Sequence, residues 1–369
     1  MANDGKRGRV DFQRCSFIRK QQADSLLKGF SQEGDVLLTH KATMGNTAIV
    51  GKIEWEYIML TPQVTYYRIA DPQRLSNRYL KSFFDGSAFQ RVLEVLSGGG
   101  TRSYLGIVGQ HKLPVCFPPT LAEQEAIAGA LSDADAWIES LEQLIAKKRQ
   151  IKQGAMQELL TGKRRLPGFS GKWETKLLGC EIDLLTGFPF PSQGYATSGA
   201  RLLRGSNIKR GVTDWSDEIT QYWTVVSAFL KDYVLLEGDI VIAMDGSLVG
   251  KSFAQLKSTD LPALLLQRVA RIRSSTIEMG YLKEHVCSER FTVHCDSVKT
   301  VTAIPHISPK DIREFLIPVP PTLDEQTAIA TVLSDMDAEI ESLESKLSKA
   351  REVKQGMMQE LLTGRIRLV

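Results

Sequence analysis

The sequence contains no apolar run of the roughly 20 residues that a membrane helix needs, and it contains few cysteines. Its five cysteines are scattered and never spaced Cys-x-x-Cys. An odd number without such spacing favours reduced thiols over a disulfide framework and predicts a cytoplasmic protein. No apolar segment follows Met1–Arg7, so we expect no signal peptide.

An excess of charge of one sign is also missing. The formal net charge is only +3 over 369 residues, a length that favours two or more domains. Residues 1–117 hold 16 Lys and Arg against 10 Asp and Glu, whereas residues 173–319 hold 16 against 17. A basic first block suits phosphate contact, but an ordinary solvated surface explains such modest numbers equally well.

Catalytic motifs are absent as well. Residues 246–252, Gly-Ser-Leu-Val-Gly-Lys-Ser, have three residues between the glycines where a Walker A loop has four. The His and Cys residues at 285, 287, 294 and 295 do not have the spacing of a structural zinc site. No amino-methyltransferase string, nuclease carboxylate set or nucleophile elbow is found. We therefore expect no catalytic, cofactor or metal site in this chain, and a binding or scaffolding role.

A long internal repeat is the most informative feature. Residues 118–166 recur as residues 320–368, with 33 of 49 positions identical at an offset of 202 and no gaps. The chain therefore alternates a variable block with a repeated segment, twice. We predict a first domain at 1–117, spacer helices at 118–162 and 320–364, and a second domain at 173–319. The linker is 163–172 and the tail is 365–369.

Both repeats are predicted to be long helices. Thr120 and Thr322 have the spacing of a capping box with Glu123 and Glu325. A glycine follows each helix at 162 and 364, where a left-handed C-terminal cap is expected. Between these ends, apolar residues step by four and three, which is typical of a coiled-coil seam. The seam consists of Ile127, Leu131, Ala134, Ile138, Leu141 and Ile145 in the first helix and of Ile329, Leu333, Met336, Ile340, Leu343 and Leu347 in the second.

The reach of the linker indicates that the two helices run antiparallel. Each is about 60 Å long, whereas ten linker residues span at most about 35 Å. A parallel pair would require the chain to return along the whole helix before the second begins. We predict an α+β protein in which two mixed α/β domains are joined by an antiparallel coiled coil with pseudo-two-fold symmetry, one domain at each end. The alternative is that each helix packs on its own domain. Lys152 and Lys354 interrupt the seam at equivalent places and are expected to restrict its register.

The two domains share a weaker signature. Glu33-Gly34-Asp35 and Glu237-Gly238-Asp239 each read as a turn leading into a β-branched strand. The second domain has about 33 further residues at its start, from Trp173 to Gly205, that have no counterpart in the first. We therefore expect either that the first domain is short by a strand or two at its N-terminal side or that the true chain begins earlier.

The repeated strings resemble those of one known family. They are Pro-Pro-Thr-Leu-x-Glu-Gln at 118–124 and 320–326, Ile-Glu-Ser-Leu-Glu at 138–142 and 340–344, and Lys-Gln-Gly-x-Met-Gln-Glu-Leu-Leu-Thr-Gly at 152–162 and 354–364. With Trp173 after the linker, they resemble the specificity (S) subunits of type I restriction-modification systems over nearly the whole chain. The resemblance implies a non-catalytic subunit whose two target-recognition domains each read half of a split double-stranded DNA sequence. It also implies two modification (M) subunits that carry S-adenosylmethionine, and restriction (R) subunits.

Base reading is expected from polar side chains on loops, because base edges differ in their donors and acceptors. The candidates in the second domain are Arg204, Ser206, Asn207, Lys209, Arg210, Asp245, Ser247 and Lys251. Those in the first are Thr39, His40, Lys41, Asn46, Thr101, Arg102 and Ser103. The M subunits are expected to contact outward acidic and amide residues of both repeats, namely Glu123, Gln124, Glu139, Glu142, Glu325, Gln326, Glu341 and Glu344. Two alternatives are a coiled-coil scaffold without DNA and a truncated recognition protein of a phage-defence system without cleavage.

Overall fold

The computed structural model describes residues 8–26, 28–41, 43–98 and 104–368. The chain divides into two compact units, Met1–Leu144 with Leu343–Val369, and Ile145–Ser342. Both boundaries fall inside the two long helices, so each unit contains a variable domain and one half of each helix. The helices are α5 (Leu121–Leu159) and α9 (Leu323–Leu361), 39 residues each.

The first unit is built on a small sheet with helices after it. Its strands are β1 (Gly8–Arg9), β2 (Phe30–Ser31), β3 (Val36–Thr39), β4 (Thr47–Ile49), β5 (Ile58–Met59) and β6 (Val64–Tyr67). Its shorter helices are α1 (Lys20–Asp24), α2 (Asn77–Asp85), α3 (Ser87–Leu96) and α4 (Ile107–Gln110). The sheet order is β1-β4-β3-β6, with β1 parallel to β4 and the other pairs antiparallel; β2 pairs with β5.

The second unit carries more strands. They are β7 (Glu174–Leu177), β8 (Asp183–Thr186), β9 (Ala200–Leu203), β10 (Tyr222–Trp223), β11 (Ile240–Ala243), β12 (Phe253–Gln255), β13 (Ala263–Leu265), β14 (Val269–Arg273) and β15 (Leu316–Val319). Its shorter helices are α6 (Met279–Val286), α7 (Glu289–Val298) and α8 (Pro309–Arg313). The sheets run β12-β11-β14-β8, β10-β9-β13 and β15-β7. Strands β7 to β9 come from the 33 additional residues.

The shared Glu-Gly-Asp turn lies before equivalent strands. Gly34 and Gly238 both have φ +85°, a value that favours glycine, and they lead into β3 and β11. The two aspartates that follow are buried and bind Arg68 and Arg273. Burial is the largest influence on the pKa of Asp35 and raises it, but hydrogen bonds from Arg68, the Gln32 N–H and the Ser31 hydroxyl together outweigh burial and lower the pKa of this carboxyl. All four residues of β11 are buried because its two faces belong to different apolar clusters.

The helices pack antiparallel within each unit, which confirms the prediction. In the first unit Asp135 binds Lys354 and Glu142 binds Arg351, each at 2.6 Å. As the residue numbers rise along α5, the numbers of their partners on α9 fall, so the two helices are antiparallel. In the second unit Lys148 binds Glu339 and Lys152 binds Asp337, again at 2.6 Å. Lys152 and Lys354 are equivalent at the offset of 202, and so are Asp135 and Asp337. The same ion pair therefore forms in both units, as a pseudo-two-fold repeat requires.

The apolar seam is buried, with more partners than expected at its ends. Nine of the twelve predicted seam residues are buried, and Ala134, Met336 and Leu347 are partly exposed. Ile329 and Leu333 share a cluster with Leu159 of α5 and with Tyr281 of α6. At the helix ends the seam therefore contacts both the opposite helix and the adjacent domain. The coiled-coil prediction and the alternative, in which each helix packs on its own domain, both hold there.

The glutamate and glutamine near each helix start are buried, so their assignment to an outward partner surface is wrong. Glu123, Gln124, Glu325 and Gln326 have side chains that are at most 6% exposed. Half of each predicted capping box forms: the Thr120 and Thr322 hydroxyls accept from the backbone N–H groups of Glu123 and Glu325. The Glu123 carboxylate instead accepts paired hydrogen bonds from Arg367, which lies beyond the end of the opposite helix. The Glu325 carboxylate accepts the equivalent pair from Arg165. The left-handed caps form as expected, with φ +69° at Gly162 and +72° at Gly364.

A buried histidine is expected to make the second unit sensitive to acid. The ring nitrogens of His285 lack a hydrogen-bond partner among the described residues, and the ring packs on Tyr281. Burial, followed by the charge of Arg290, lowers the pKa of His285 to about 3. The unfolded chain takes up a proton near pH 6.5 that the folded chain excludes. This contribution to stability is therefore complete above pH 6.5 and is lost as the pH falls toward 3.

Replacing this histidine should remove that loss. The first domain has Phe83 at the equivalent position, so His285→Phe is the natural substitution. From pH 7.5 to pH 5, the wild type should lose about 2 kcal/mol more unfolding free energy than the variant does. Urea unfolding at both pH values measures the difference, and other titrating groups cancel in the comparison. Equal losses in the two proteins would show that His285 does not control the acid sensitivity.

Candidate nucleic-acid interface

Three loops of the second domain meet because of how its strands pair. Strands β9 and β13 are parallel neighbours, with Leu203 opposite Leu265, so the loops that follow them leave from the same edge. Strand β11 is antiparallel to β14, with Ala243 opposite Val269, so the end of β11 lies beside the start of β14. Residues 204–209, 244–252 and 266–268 therefore converge. Together they line an open cleft of about 460 Å³.

Five of the predicted DNA contacts line this cleft. They are Arg204, Ser206, Lys209, Asp245 and Ser247. Sequence reasoning missed Gln267 and Arg268, which line it as well. Among the residues that line the cleft, Arg204, Lys209 and Arg268 are cationic and Asp245 is acidic. Lys209 also lies 3.6 Å from the carboxylate of Asp214. A local excess of positive charge is what phosphate binding requires, although the whole domain is nearly neutral.

The turn that follows β9 is held by Asn207. The side chain of Asn207 is fully buried. Its Oδ1 accepts from the Arg204 N–H at 3.1 Å, and its Nδ2 donates to the Asp214 carbonyl at 2.9 Å. Asn207 therefore fixes the turn that presents Arg204 and Ser206, and its amide faces backbone groups. Lys209 donates to the Ser206 carbonyl at 2.9 Å, whereas Arg210 is exposed.

The loop that follows β11 is glycine-rich for steric reasons. Gly250 has φ +79°, and a Cβ there would lie 2.6 Å from Cβ of Cys295 on α7. This close approach fixes the far side of the loop, so glycine serves packing here rather than phosphate binding. Ser247 and Lys251 are exposed, and Lys251 is not among the residues that line the cleft.

The candidates of the first domain that the structure describes mostly stabilise their own loop. The Thr39 hydroxyl accepts from the Asn46 N–H at 2.9 Å and donates to the Thr43 carbonyl at 2.6 Å. His40 is buried and its Nδ1 lies 2.7 Å from the Thr65 hydroxyl; burial and then Lys41 lower the pKa of His40. Lys41 is exposed. Thr101, Arg102 and Ser103 lie outside the described residues.

The histidines and cysteines of the second domain do not form a common site. His294 contacts the Asp311 carbonyl at 2.7 Å, and Cys287 donates to the Glu284 carbonyl. Burial raises the pKa of the Cys295 thiol to about 12. Within residues 8–26, 28–41, 43–98 and 104–368, no group of three or more potential ligands is placed to bind a metal ion. In the same residues, no helix is both long and apolar enough to cross a membrane.

Comparison with known proteins confirms the resemblance seen in the repeats. Residues 206–351 match the family model described as the type I restriction modification DNA specificity domain. The EcoAI specificity subunit of a type I restriction enzyme from Escherichia coli is 31% identical over 233 residues, which are 59% of this chain and 38% of that protein. The MjaVIII specificity subunit from Methanocaldococcus jannaschii is 27% identical over 363 residues, which are 93% of this chain and 79% of that protein.

Solved structures show the same fold. An S subunit of a type I restriction-modification system from M. genitalium matches with a TM-score of 0.61 and 15% identity, over 90% of this chain and 84% of that one. A second chain, from work on complex assembly and conformational transition of the type I R-M system, matches with a TM-score of 0.54 and 16% identity. It covers 90% of this chain and 82% of its own. The α+β fold with two domains joined by long helices is thus confirmed.

Proposed function

We propose that this chain, which carries a type I restriction-modification DNA specificity domain, is the non-catalytic subunit that selects the DNA target. In this proposal its two domains each read one part of a split double-stranded sequence, and the paired helices set the gap between the parts. Methyl transfer and cleavage belong to M and R subunits, and S-adenosylmethionine is bound by the M subunits. The complex acts on DNA in the cytoplasm.

The observation that carries the proposal is that each domain binds the segment leading into its long helix through the same contact. The Tyr79 hydroxyl donates to the Cys116 carbonyl at 3.0 Å, and the Tyr281 hydroxyl donates to the Pro318 carbonyl at 2.8 Å. Both pairs are related by the offset of 202. Two similar binding units mounted in the same way on two similar helices suit a target with two parts.

Two buried amides attach the long helices themselves to the domains, again at equivalent positions. Gln124 accepts from the Ser76 N–H at 2.8 Å, and Gln326 accepts from the Glu278 N–H at 2.9 Å. Each amide thus joins the start of a long helix to the start of a domain helix, α2 or α6. Because these bonds are buried, they hold the reading domains in a defined orientation on the helices. A subunit that measures spacing needs such rigid attachment.

The basic cleft supports DNA reading by the second domain. Its arginines and lysine suit phosphate and base contacts, and arginine pairs with guanine through two parallel hydrogen bonds. For M-subunit binding, Glu139 and Glu341 are the predicted pair of equivalent residues in which both side chains are exposed. Their equivalence at the offset of 202 suits one interface used twice.

The first test of this function is a substitution panel in competition binding with duplex DNA. We expect Arg204→Ala to weaken binding of the cognate duplex by roughly five- to 150-fold and to relax the preference at one base of one half-site. We expect Arg102→Ala to do the same in the other half-site. Asn207→Ala is the structural comparison, because it should lower the thermal midpoint as well as binding.

Two results would overturn the assignment. Unchanged affinity and preference in both arginine variants would exclude them as readers. Absence of salt-dependent DNA binding by the wild type with its M subunits would favour a coiled-coil scaffold instead.

A further inference from the structure

Arg268 has an unusual backbone among the residues that line the cleft. It is the one non-glycine residue with positive φ, +68°, among residues 8–26, 28–41, 43–98 and 104–368. Left-handed backbone is strained for a residue with a Cβ, and such strain concentrates where a side chain must be held for a ligand. Glycine is the ordinary choice for a turn of this kind.

The surrounding structure forces this conformation. The Arg268 carbonyl accepts from the Met244 N–H at 3.0 Å, and the preceding Gln267 N–H donates to the Phe188 carbonyl at 2.9 Å. These bonds join the β13–β14 loop to two neighbouring segments. The backbone of Arg268 is therefore fixed from both sides, and its side chain leaves the loop in a defined direction.

The side chain itself contributes little to the core. It is 64% exposed, and its Nη1 lies 3.0 Å from Oδ2 of Asp245, whose side chain is 25% exposed. This contact uses one of the five N–H donors of the guanidinium. An exposed ion pair of this kind adds little to stability, so it does not explain why arginine occupies a strained position. What the pair does achieve is to orient the guanidinium plane.

We infer that Arg268 is a guanine-reading residue of the second domain and that Asp245 is its positioning residue. The inference rests on the proposed function. It adds which base is read and which side chain reads it. A guanidinium held through one donor still presents a planar edge, which matches N7 and O6 of guanine in the major groove. Asp245, predicted from sequence as a direct DNA contact, acts in this arrangement through Arg268.

Substitutions at position 268 separate reading from folding. The wild type and each variant are assembled with M subunits, and bound sequences are selected from a randomised duplex pool. We expect Arg268→Gly to fold with an equal or higher thermal midpoint, because glycine relieves the strain. It should nevertheless bind the cognate duplex about five- to 150-fold more weakly and lose the preference for guanine at one position.

Two further variants test the chemistry of the pair. Arg268→Lys keeps the charge but lacks the planar fork, so the guanine preference should be weaker than in the wild type. Asp245→Asn keeps the shape but removes the orienting charge, and it should weaken the preference at that same base. A loss of preference at one shared base in all three variants supports the inference, since a structural role would not select a single base.

Other outcomes would overturn it. Uniform weakening across all sequences, with the salt slope lower by about one, would identify a phosphate contact instead. Unchanged preference in Arg268→Gly would exclude a reading role while leaving the proposed function intact. If the wild type selects no sequence from the pool, the proposed function and this inference both fail.

Discussion

Inserting one heptad into each long helix is expected to lengthen the gap between the two halves of the methylated sequence by about three base pairs. Seven helical residues add about 10.5 Å, and each base pair rises about 3.4 Å. The insertions duplicate Leu141–Lys147 in α5 and Leu343–Lys349 in α9, so both helices grow equally. A heptad preserves the side of the helix on which the seam lies.

The pairing of the helices explains why both must be changed. Asp135–Lys354 and Glu142–Arg351 fix the register in one unit, and Lys148–Glu339 and Lys152–Asp337 fix it in the other. An insertion in α5 alone would leave the ion pairs of the two units in different registers, so they could not all form together. This matched control should therefore lose specific methylation. The readout is the methylated motif in cells that express each variant with the M subunit. An unchanged gap in the double insertion would refute the spacer role.

Replacing Lys152 by methionine is expected to destabilise the protein far more than the same change at Lys354. Lys152 Nζ lies 3.2 Å from Glu284 Oε2, and the Glu284 side chain is only 1% exposed. Removing the lysine leaves a buried carboxylate with fewer partners, which costs roughly 3–5 kcal/mol in buried pairs. Because Lys283 still lies 2.6 Å from Glu284, we expect about 2–3 kcal/mol.

The equivalent lysine has a simpler environment and provides the control. Lys354 binds Asp135, which is 26% exposed and can be hydrated once the lysine is gone. Lys354→Met should therefore change the unfolding free energy by less than about 1 kcal/mol. Urea unfolding of both variants, with the m-values compared, gives the difference. Adding Glu284→Gln to Lys152→Met should recover most of the loss, and equal destabilisation by the two lysine changes would contradict this explanation.

The sequence was sufficient to predict the helices, their direction and their seam. Periodicity, the caps at Gly162 and Gly364, and the reach of the linker are local or repeated signals, and the antiparallel pairing followed from them. The Glu-Gly-Asp turns also identified the equivalent strands β3 and β11. Strands β7 to β9 lie in the additional residues at the start of the second domain, and they have no counterpart among the described residues of the first.

Burial of polar side chains was not predicted, because their partners are distant in sequence. Glu325 reads as a surface residue on a helix, yet it binds Arg165, which lies 160 positions earlier. Asn207 reads as a base contact, yet both ends of its amide bind backbone. The strained backbone of Arg268 depends on hydrogen bonds to Met244 and Phe188, and no local pattern around position 268 indicates them.

Sequencing the methylome of cells that express this chain with the M subunit of its system tests the central claim most directly. We predict methylated adenines within one motif made of two short defined parts, separated by a fixed number of unspecified bases. Exchange of residues 173–319 for those of a relative should change one part of that motif and leave the other part and the gap unchanged. A single continuous motif, or an exchange that alters both parts together, would contradict the account.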